Sequence, residues 1–220
     1  MPETNLNIVR KFAKDYDKSI LKNNWTGPKI IFDESKVFIS PKSKIVDLGI
    51  GTGASSVLFQ QAGYKITGLD GSPEMLELCK KKQIADKLVL HNLEKTPFPL
   101  AKNIFETAIS NGVLHLINPV KSIFSEVARI LKPNGIFAFT FDNTDNVLSY
   151  TKIKPGVWET KTQDGVFVYK YSEQYILQLL LQNNFEIEKQ KQFLAYTNPE
   201  LQKKFNFTLI VAKMKEYRLY

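Results

Sequence analysis

Between Lys44 and Ala54 a β-branched apolar run stops at an acid and breaks into alternating glycines: Lys44-Ile45-Val46-Asp47-Leu48-Gly49-Ile50-Gly51-Thr52-Gly53-Ala54. The pattern predicts a strand feeding a tight loop. After it, Ser55 to Ala62 places Val57, Leu58, Gln61 and Ala62 at helical offsets, so the loop lies between a strand end and a helix start. Glycine lacks a Cβ, so the backbone there can take positive φ and approach a ligand closely, while the first amides of the next helix point outward unpaired. Small molecules bind in such places.

At 220 residues the chain suits a single domain able to bury a core without disulfides or metals. Cys79 is its only cysteine, in a helical stretch beside Leu76 and Leu78, which predicts a buried thiol and no disulfide framework. The segment Met1-Pro2-Glu3-Thr4-Asn5 shows no basic stretch followed by an apolar one, and no apolar run is long enough to span a bilayer. A cytoplasmic location is therefore expected. The net charge of +8 raises a nucleic-acid partner, with clusters at Lys80-Lys81-Lys82, Lys203-Lys204 and Lys213-x-Lys215. Arginine is the residue that grips phosphate and base edges bidentately, and Arg10, Arg129 and Arg218 are the only ones. The basic surface thus reads as lysine solubility charge, and nucleic acid is disfavoured as a partner.

Ahead of the glycine loop, Asn5 to Leu21 has the spacing of an amphipathic helix, and Asn23-Asn24-Trp25-Thr26-Gly27-Pro28 separates it from a second helix over Lys29 to Phe38. Tyr16 and Trp25 suit either core staples or a lid over a ligand. Tyr64 to Asp70 predicts a second strand ending in an acid, and Ser72, Pro73 and Glu74 give the next helix an N-cap, a first-turn proline and a dipole-matched acid. Lys87 to Leu90 and Phe105 to Ser110 are the third and fourth strands. A helix is expected from Asn118-Pro119, closed by a turn at Lys132-Pro133-Asn134-Gly135, and Ile136 to Asp142 is apolar on both faces, as a central parallel strand should be. Beyond it, Gly165 to Tyr171 predicts a strand and Ser172 a helix cap. Phe185 to Tyr196 and Phe207 to Lys213 predict a closing antiparallel pair joined through Thr197-Asn198-Pro199.

Four of these stretches carry a family resemblance. Asp47 to Gly53, Gly68-Leu69-Asp70-Gly71-Ser72-Pro73-Glu74-Met75, Ile109 to His115 and Arg129 to Gly135 resemble, in order and spacing, the motifs of the class I S-adenosylmethionine-dependent methyltransferases. The likeness is to the small-molecule branch that includes the ubiquinone and menaquinone biosynthetic enzymes. Within it, Tyr16-Asp17, Asn24 to Pro28 and Asp164 to Tyr169 look like the Williams-Beuren-region methyltransferase-like group. Gly49-x-Gly51-x-x-Ala54 also satisfies the relaxed dinucleotide fingerprint, with Asp70 as the ribose acid roughly 20 residues on. Asp47 favours the methyl donor. A carboxylate repels a pyrophosphate but attracts the ammonium of a methionine moiety.

The resemblance implies a three-layer α/β Rossmann-like domain with a seven-stranded, mostly parallel sheet and an antiparallel closing strand. Its parts would be a helical cap over 1–43, a cofactor core over 44–142 and a substrate-side region over 143–220. It implies S-adenosylmethionine as cofactor, S-adenosylhomocysteine as product and a small-molecule acceptor, in a monomer or homodimer. The implied cofactor residues are Asp47, Gly49, Gly51, Thr52, Gly53, Asp70, Gly71, Met75, Asn92, Leu93, Ser110 and Tyr16. Asp70 would take the ribose hydroxyls, Met75 the adenine face, and Leu93 would offer its amide to the ring. Asn92 stands where the family commonly has an aspartate accepting the adenine amino group, which predicts a contact weaker by about 1 kcal/mol. His115 is the candidate base, or else a turn histidine that packs locally. Trp25, Asn111, Asp142 and Tyr171, with Trp158, are candidates for the acceptor site. No His/Cys/Asp cluster has metal-ligand spacing, so no metal is expected. The Asn/Asp-Pro-Pro-aromatic motif of nucleic-acid and protein amino-methylating enzymes is absent after the fourth strand. Two alternatives stay open: an RNA methyltransferase, and a cofactor-binding protein without turnover.

Overall fold

Successive residues of a strand point to opposite faces, and in this chain that alternation divides the core in two. Val46, Ala108, Phe137, Phe139 and Ile210 belong to one buried cluster, while their neighbours Ile45, Ile109, Ile136, Ala138 and Leu209 belong to the other. A sheet apolar on both faces must be covered on both. The computed structural model, which describes residues 4–143, 147–198 and 203–216, has that sheet at its centre. Residues 1–3, Pro199 of the expected turn and Arg218 lie outside the described residues.

Strands β1 (Lys44–Leu48), β2 (Lys65–Asp70), β3 (Lys87–Leu90), β4 (Phe105–Ser110) and β5 (Leu131–Asp142) run parallel. After a separate sheet of β6 (Thr151–Lys154), β7 (Val157–Lys161) and β8 (Phe167–Tyr171), the chain returns as β9 (Phe185–Asn198) and β10 (Lys203–Met214). The large sheet has seven strands in the order β3-β2-β1-β4-β5-β10-β9. β10 lies antiparallel to both of its neighbours, which is the mostly parallel α/β sheet expected. The order reverses between β1 and β4, and a crevice opens there at the strands' carboxyl ends.

Helices α1 (Asn5–Arg10), α2 (Tyr16–Lys22), α3 (Gly27–Ser35), α4 (Val57–Gln61), α5 (Pro73–Lys81), α6 (Lys121–Ile130) and α7 (Glu173–Gln182) surround the sheet. Ile31, Phe59, Leu76 and Cys79 of α3, α4 and α5 pack on one face; Phe124, Val127, Ile176 and Leu179 of α6 and α7 pack on the other. Ser72 and Ser172 cap α5 and α7, each accepting an amide at 3.2 Å, from Met75 and Tyr175. Among the described residues no helix is long and apolar enough to cross a membrane.

Four expectations change. The N-terminal helix is broken, with α1 and α2 joined through a 3-10 turn at Ala13–Asp15, and Leu6 and Val9 of α1 and Tyr16 of α2 all border one cleft. Asn118 does not cap α6: its Oδ1 has no partner, and the helix begins at Lys121 behind Val120. The turn at Lys132 to Gly135 is a bulge within β5, since Leu131 pairs with Phe105 and Ile136 with Thr107, and Asn134 takes φ 62°. Strands β6 and β7, short and rich in lysine, carry too little hydrophobic alternation to read from sequence.

Phe139 is fully buried, stacked on Phe137 at 4.5 Å and edge-on to Phe124 at 5.3 Å. Phe139→Ala is expected to lower unfolding stability by about 3–5 kcal/mol in a urea titration. A loss under about 1 kcal/mol would contradict this account of the core.

Candidate functional site

The loop after β1 is shaped by two glycines of positive φ. Gly49 holds φ 79°, and a Cβ there would lie 2.4 Å from a Val113 methyl; Gly51 holds φ 54° and faces open space. The amides of Gly49 and Ile50 donate to the Leu69 carbonyl at 2.8 and 3.0 Å, docking the loop on the end of β2. Gly53 turns the other way, against Ile84 and Cys79.

Asp70 closes β2 and ties two loops together. Its Oδ2 accepts the Gly51 amide and its Oδ1 the Ser72 amide, each at 2.8 Å. Burial raises its pKa, and the amides of Ser72, Gly51 and Gly71 oppose the rise. Asp47 has a different setting. It is only 1% exposed and accepts the Ser56 hydroxyl at 2.7 Å, behind the loop rather than in the cleft. Burial, helped by the nearby Asp70 charge and opposed by Ser56, pushes its pKa up to about 7.

The cleft in front of Asp70 is walled by Gly49, Gly51, Gly71, Ser72 and Met75 on one side and by Asn92, Leu93 and Glu94 at the exit of β3. Asn111, Gly112 and Val113 form its far end beside Leu116 and Ile117, and Leu6, Val9 and Tyr16 roof it. The roof is fastened by polar side chains. Asn5 donates to the carbonyls of Leu116 and Phe167 at 2.9 and 2.8 Å and accepts the Phe167 amide at 2.7 Å. Asp17 accepts from Thr52 Oγ1 at 2.6 Å and pairs with Lys82 Nζ at 2.5 Å. Burial, followed by the charges of Asp70, Asp17 and Asp47, pushes the Tyr16 phenol up to about 12, so it is neutral and a donor at pH 7.

At the far end a buried network locks β4 to β5: Asn111 Nδ2 donates to Ser55 Oγ at 2.9 Å, Thr140 Oγ1 to Asn111 Oδ1 at 2.8 Å, and the Gly112 amide to Thr140 Oγ1 at 2.9 Å. Past it stands an aromatic corner. Trp25 meets Phe207 and Tyr196 edge-on at 5.6 and 5.9 Å, and His115 meets Phe207 at 5.4 Å. Asp142, paired with Phe207 across the strands, forms a buried ion pair with Lys170 at 2.8 Å; Lys170 also donates to the Asn143 carbonyl and lies over the Tyr150 ring. His115 Nδ1 is buried without a partner, and burial together with Lys170 pushes its pKa down to about 4.

Of the residues singled out in the sequence, Tyr16, Gly49, Gly51, Asp70, Gly71, Met75, Asn92, Leu93 and Asn111 meet in the cleft. Others point elsewhere. Thr52 fastens the roof, and Ser110 Oγ donates to the Leu48 carbonyl at 3.0 Å within the sheet. Tyr171 is fully buried with its hydroxyl donating to Ile117 O, and Trp158 lies on β7 beneath the Lys152 ammonium. The sequence reading missed Leu6, Val9, Leu116, Ile117 and Glu94; the apolar face of the first helix was the only signal for any of them.

Residues 46–139 match the family described as the methyltransferase domain. That stretch of the chain is similar to methyltransferases. Over 130 residues it is 32% identical to the malonyl-[acyl-carrier protein] O-methyltransferase of Buchnera aphidicola, covering 59% of this chain and 51% of that protein. It is 34% identical over 129 residues to an uncharacterized methyltransferase of Synechocystis, covering 56% of this chain and 60% of that one. The chain thus spans about half the length of the curated relatives it matches. In fold it is similar to the 1,6-didemethyltoxoflavin N1-methyltransferase of Burkholderia thailandensis, solved with bound 1,6-didemethyltoxoflavin and S-adenosylhomocysteine. The TM-score is 0.67 at 16% identity, over 95% of this chain and 88% of that one.

Asp47 gives a pH prediction for this methyltransferase fold. Its folded pKa, about 7, lies above the unfolded value near 3.9. The folded state therefore holds the extra proton, and stability falls as pH rises from about 4 to about 7, then levels off. Asp47→Asn removes this loss, so in denaturant titrations its stability relative to wild type should climb across that window. A constant difference between pH 4 and 8 would contradict the buried, protonated carboxyl.

Proposed function

We propose that the cleft binds S-adenosylmethionine and that the chain transfers its methyl group to a small-molecule acceptor, leaving S-adenosylhomocysteine. Asp70 carries the reading. Each of its oxygens spends one lone pair on a loop amide and keeps capacity for a second bond, the arrangement that accepts two vicinal ribose hydroxyls. The other residues present fit the same ligand. Met75 and Leu93, both buried apolar side chains, suit the two faces of a flat ring; the open space over Gly51 admits a chain close to the backbone; and the neutral Tyr16 phenol suits a carboxylate.

A sulfonium supplies an electrophilic methyl group, so the protein's share is in-line alignment and a dry pocket. The roof of Leu6, Val9 and Tyr16 excludes water, and the Asn111–Thr140–Gly112 network fixes the far end. The aromatic corner of Trp25, Phe207 and His115 is the acceptor side. His115, neutral and with a pKa of about 4, is too weak a base to take a proton from an alcohol at pH 7. An acceptor that needs no proton removed by His115, such as a carboxylate or a free amine, suits this side. A malonyl group methylated on oxygen, as in the Buchnera relative's name, is one acceptor of this kind.

Calorimetric titration with S-adenosylhomocysteine is expected to give micromolar binding, and NAD none. Asp70→Ala should weaken binding by about 100-fold or more, because two charge-assisted bonds are lost. Undiminished binding to Asp70→Ala, or binding of NAD alone, would overturn the assignment. Incubation of a cell extract with a labelled methyl donor is expected to label a small molecule; label confined to RNA would overturn the acceptor class.

A further inference from the structure

The roof of the cleft is a strap whose two ends are tied to the aromatic-corner side of the molecule. At its start, the Asn5 side chain donates to the Leu116 and Phe167 carbonyls and accepts the Phe167 amide, which joins it to β8 and to the turn that carries His115. At its end, the Thr26 amide donates to the Ala195 carbonyl at 2.9 Å, the Thr26 hydroxyl to the Leu194 carbonyl at 2.7 Å, and the Thr197 amide to the Asn23 carbonyl at 3.2 Å. Trp25 lies at this second tie, against Phe207 and Tyr196.

The middle of the strap is clasped to the other side. Arg10 grips Glu74 through Nε and Nη2 at 2.9 and 2.8 Å, and Glu74 accepts the hydroxyl of Ser72, whose amide is bound to Asp70. Asp17 accepts Thr52 Oγ1 and pairs with Lys82, which also donates to the Thr52 carbonyl at 3.2 Å. Each clasp therefore lands on a loop that Asp70 anchors, one at Ser72 and one at the residue after Gly51. Both clasps include exposed ion pairs, which are individually weak and screened by salt. Leu6, Val9 and Tyr16 on the inner side border the same cleft as Met75 and Leu93. A ligand in that cleft adds apolar contact to the strap only while the strap is down, and a ligand shifts an equilibrium by its difference in affinity for the two states.

We propose that the strap over residues 5–26 couples the two halves of the site. A bound cofactor holds it down on α5, and its tied ends then order β8, the Leu116 turn and residues 194–197, so the acceptor meets a finished site only once the methyl donor is in place. This rests on the cofactor reading above.

The test is residue-resolved amide hydrogen exchange with and without S-adenosylhomocysteine, on the wild-type chain and on the double variant Arg10→Ala/Lys82→Ala. In wild type the ligand is expected to slow exchange at Gly49 and Gly51 and also, by about fivefold or more, at Thr26, Phe167 and Thr197. The double variant should keep the effect at the two glycines and lose it at the three strap-end amides. Release of S-adenosylhomocysteine, followed by stopped flow, should be about tenfold faster from the double variant, and high salt should speed release from wild type alone. Protection at the glycines with none at the strap ends in wild type, strap-end protection that survives in the double variant, or equal release rates would overturn the coupling and leave the cofactor reading intact. A wild-type chain with no amide slowed by the ligand overturns both.

Discussion

One carboxylate holds the site together. Asp70, at the end of β2, accepts an amide from the loop after β1 and another from the start of α5, so two loops that approach from different strands share an anchor. Removing it would leave two buried amides without acceptors and the loops without a common register. The glycines make this possible. Gly49 admits Val113 at its back, and Gly51 brings its amide onto Asp70 while leaving its outer side open.

Around that anchor the sheet sets distances and the roof sets access. The parallel strands deliver every loop of the cleft to one edge, and the reversal of order between β1 and β4 gives the crevice its width. The roof consists of short helices with little core of their own, held by Asn5, by Asp17 between Thr52 and Lys82, and by the exposed Arg10–Glu74 pair at 2.8 Å. Short helices held by exposed polar contacts belong to the least stable part of a fold, which suits a segment that must open for a ligand to exchange.

Sequence spacing revealed what depends on local sterics. The glycine pattern, the acid ending β2, the Ser72 cap and the alternating faces of β5 are short-range features, and each was readable from a few residues. It did not reveal side-chain partners that lie far along the chain. Asp47 and Asp70 both precede a glycine, yet one carboxylate is turned back to Ser56 and the other forward to the cleft. Asp142 pairs with Lys170, which lies 28 residues later. Thr52 donates to Asp17, which lies 35 residues earlier.

The central claim is that the crevice at the carboxyl ends of β1, β2, β3 and β4 is the cofactor site. Amide chemical-shift mapping with S-adenosylhomocysteine tests it most directly. The account predicts that the largest shifts fall at Gly49, Gly51, Asp70 to Ser72, Leu93 and Gly112. Shifts confined to the aromatic corner or the β6–β8 sheet, with the glycine loop unmoved, would contradict it.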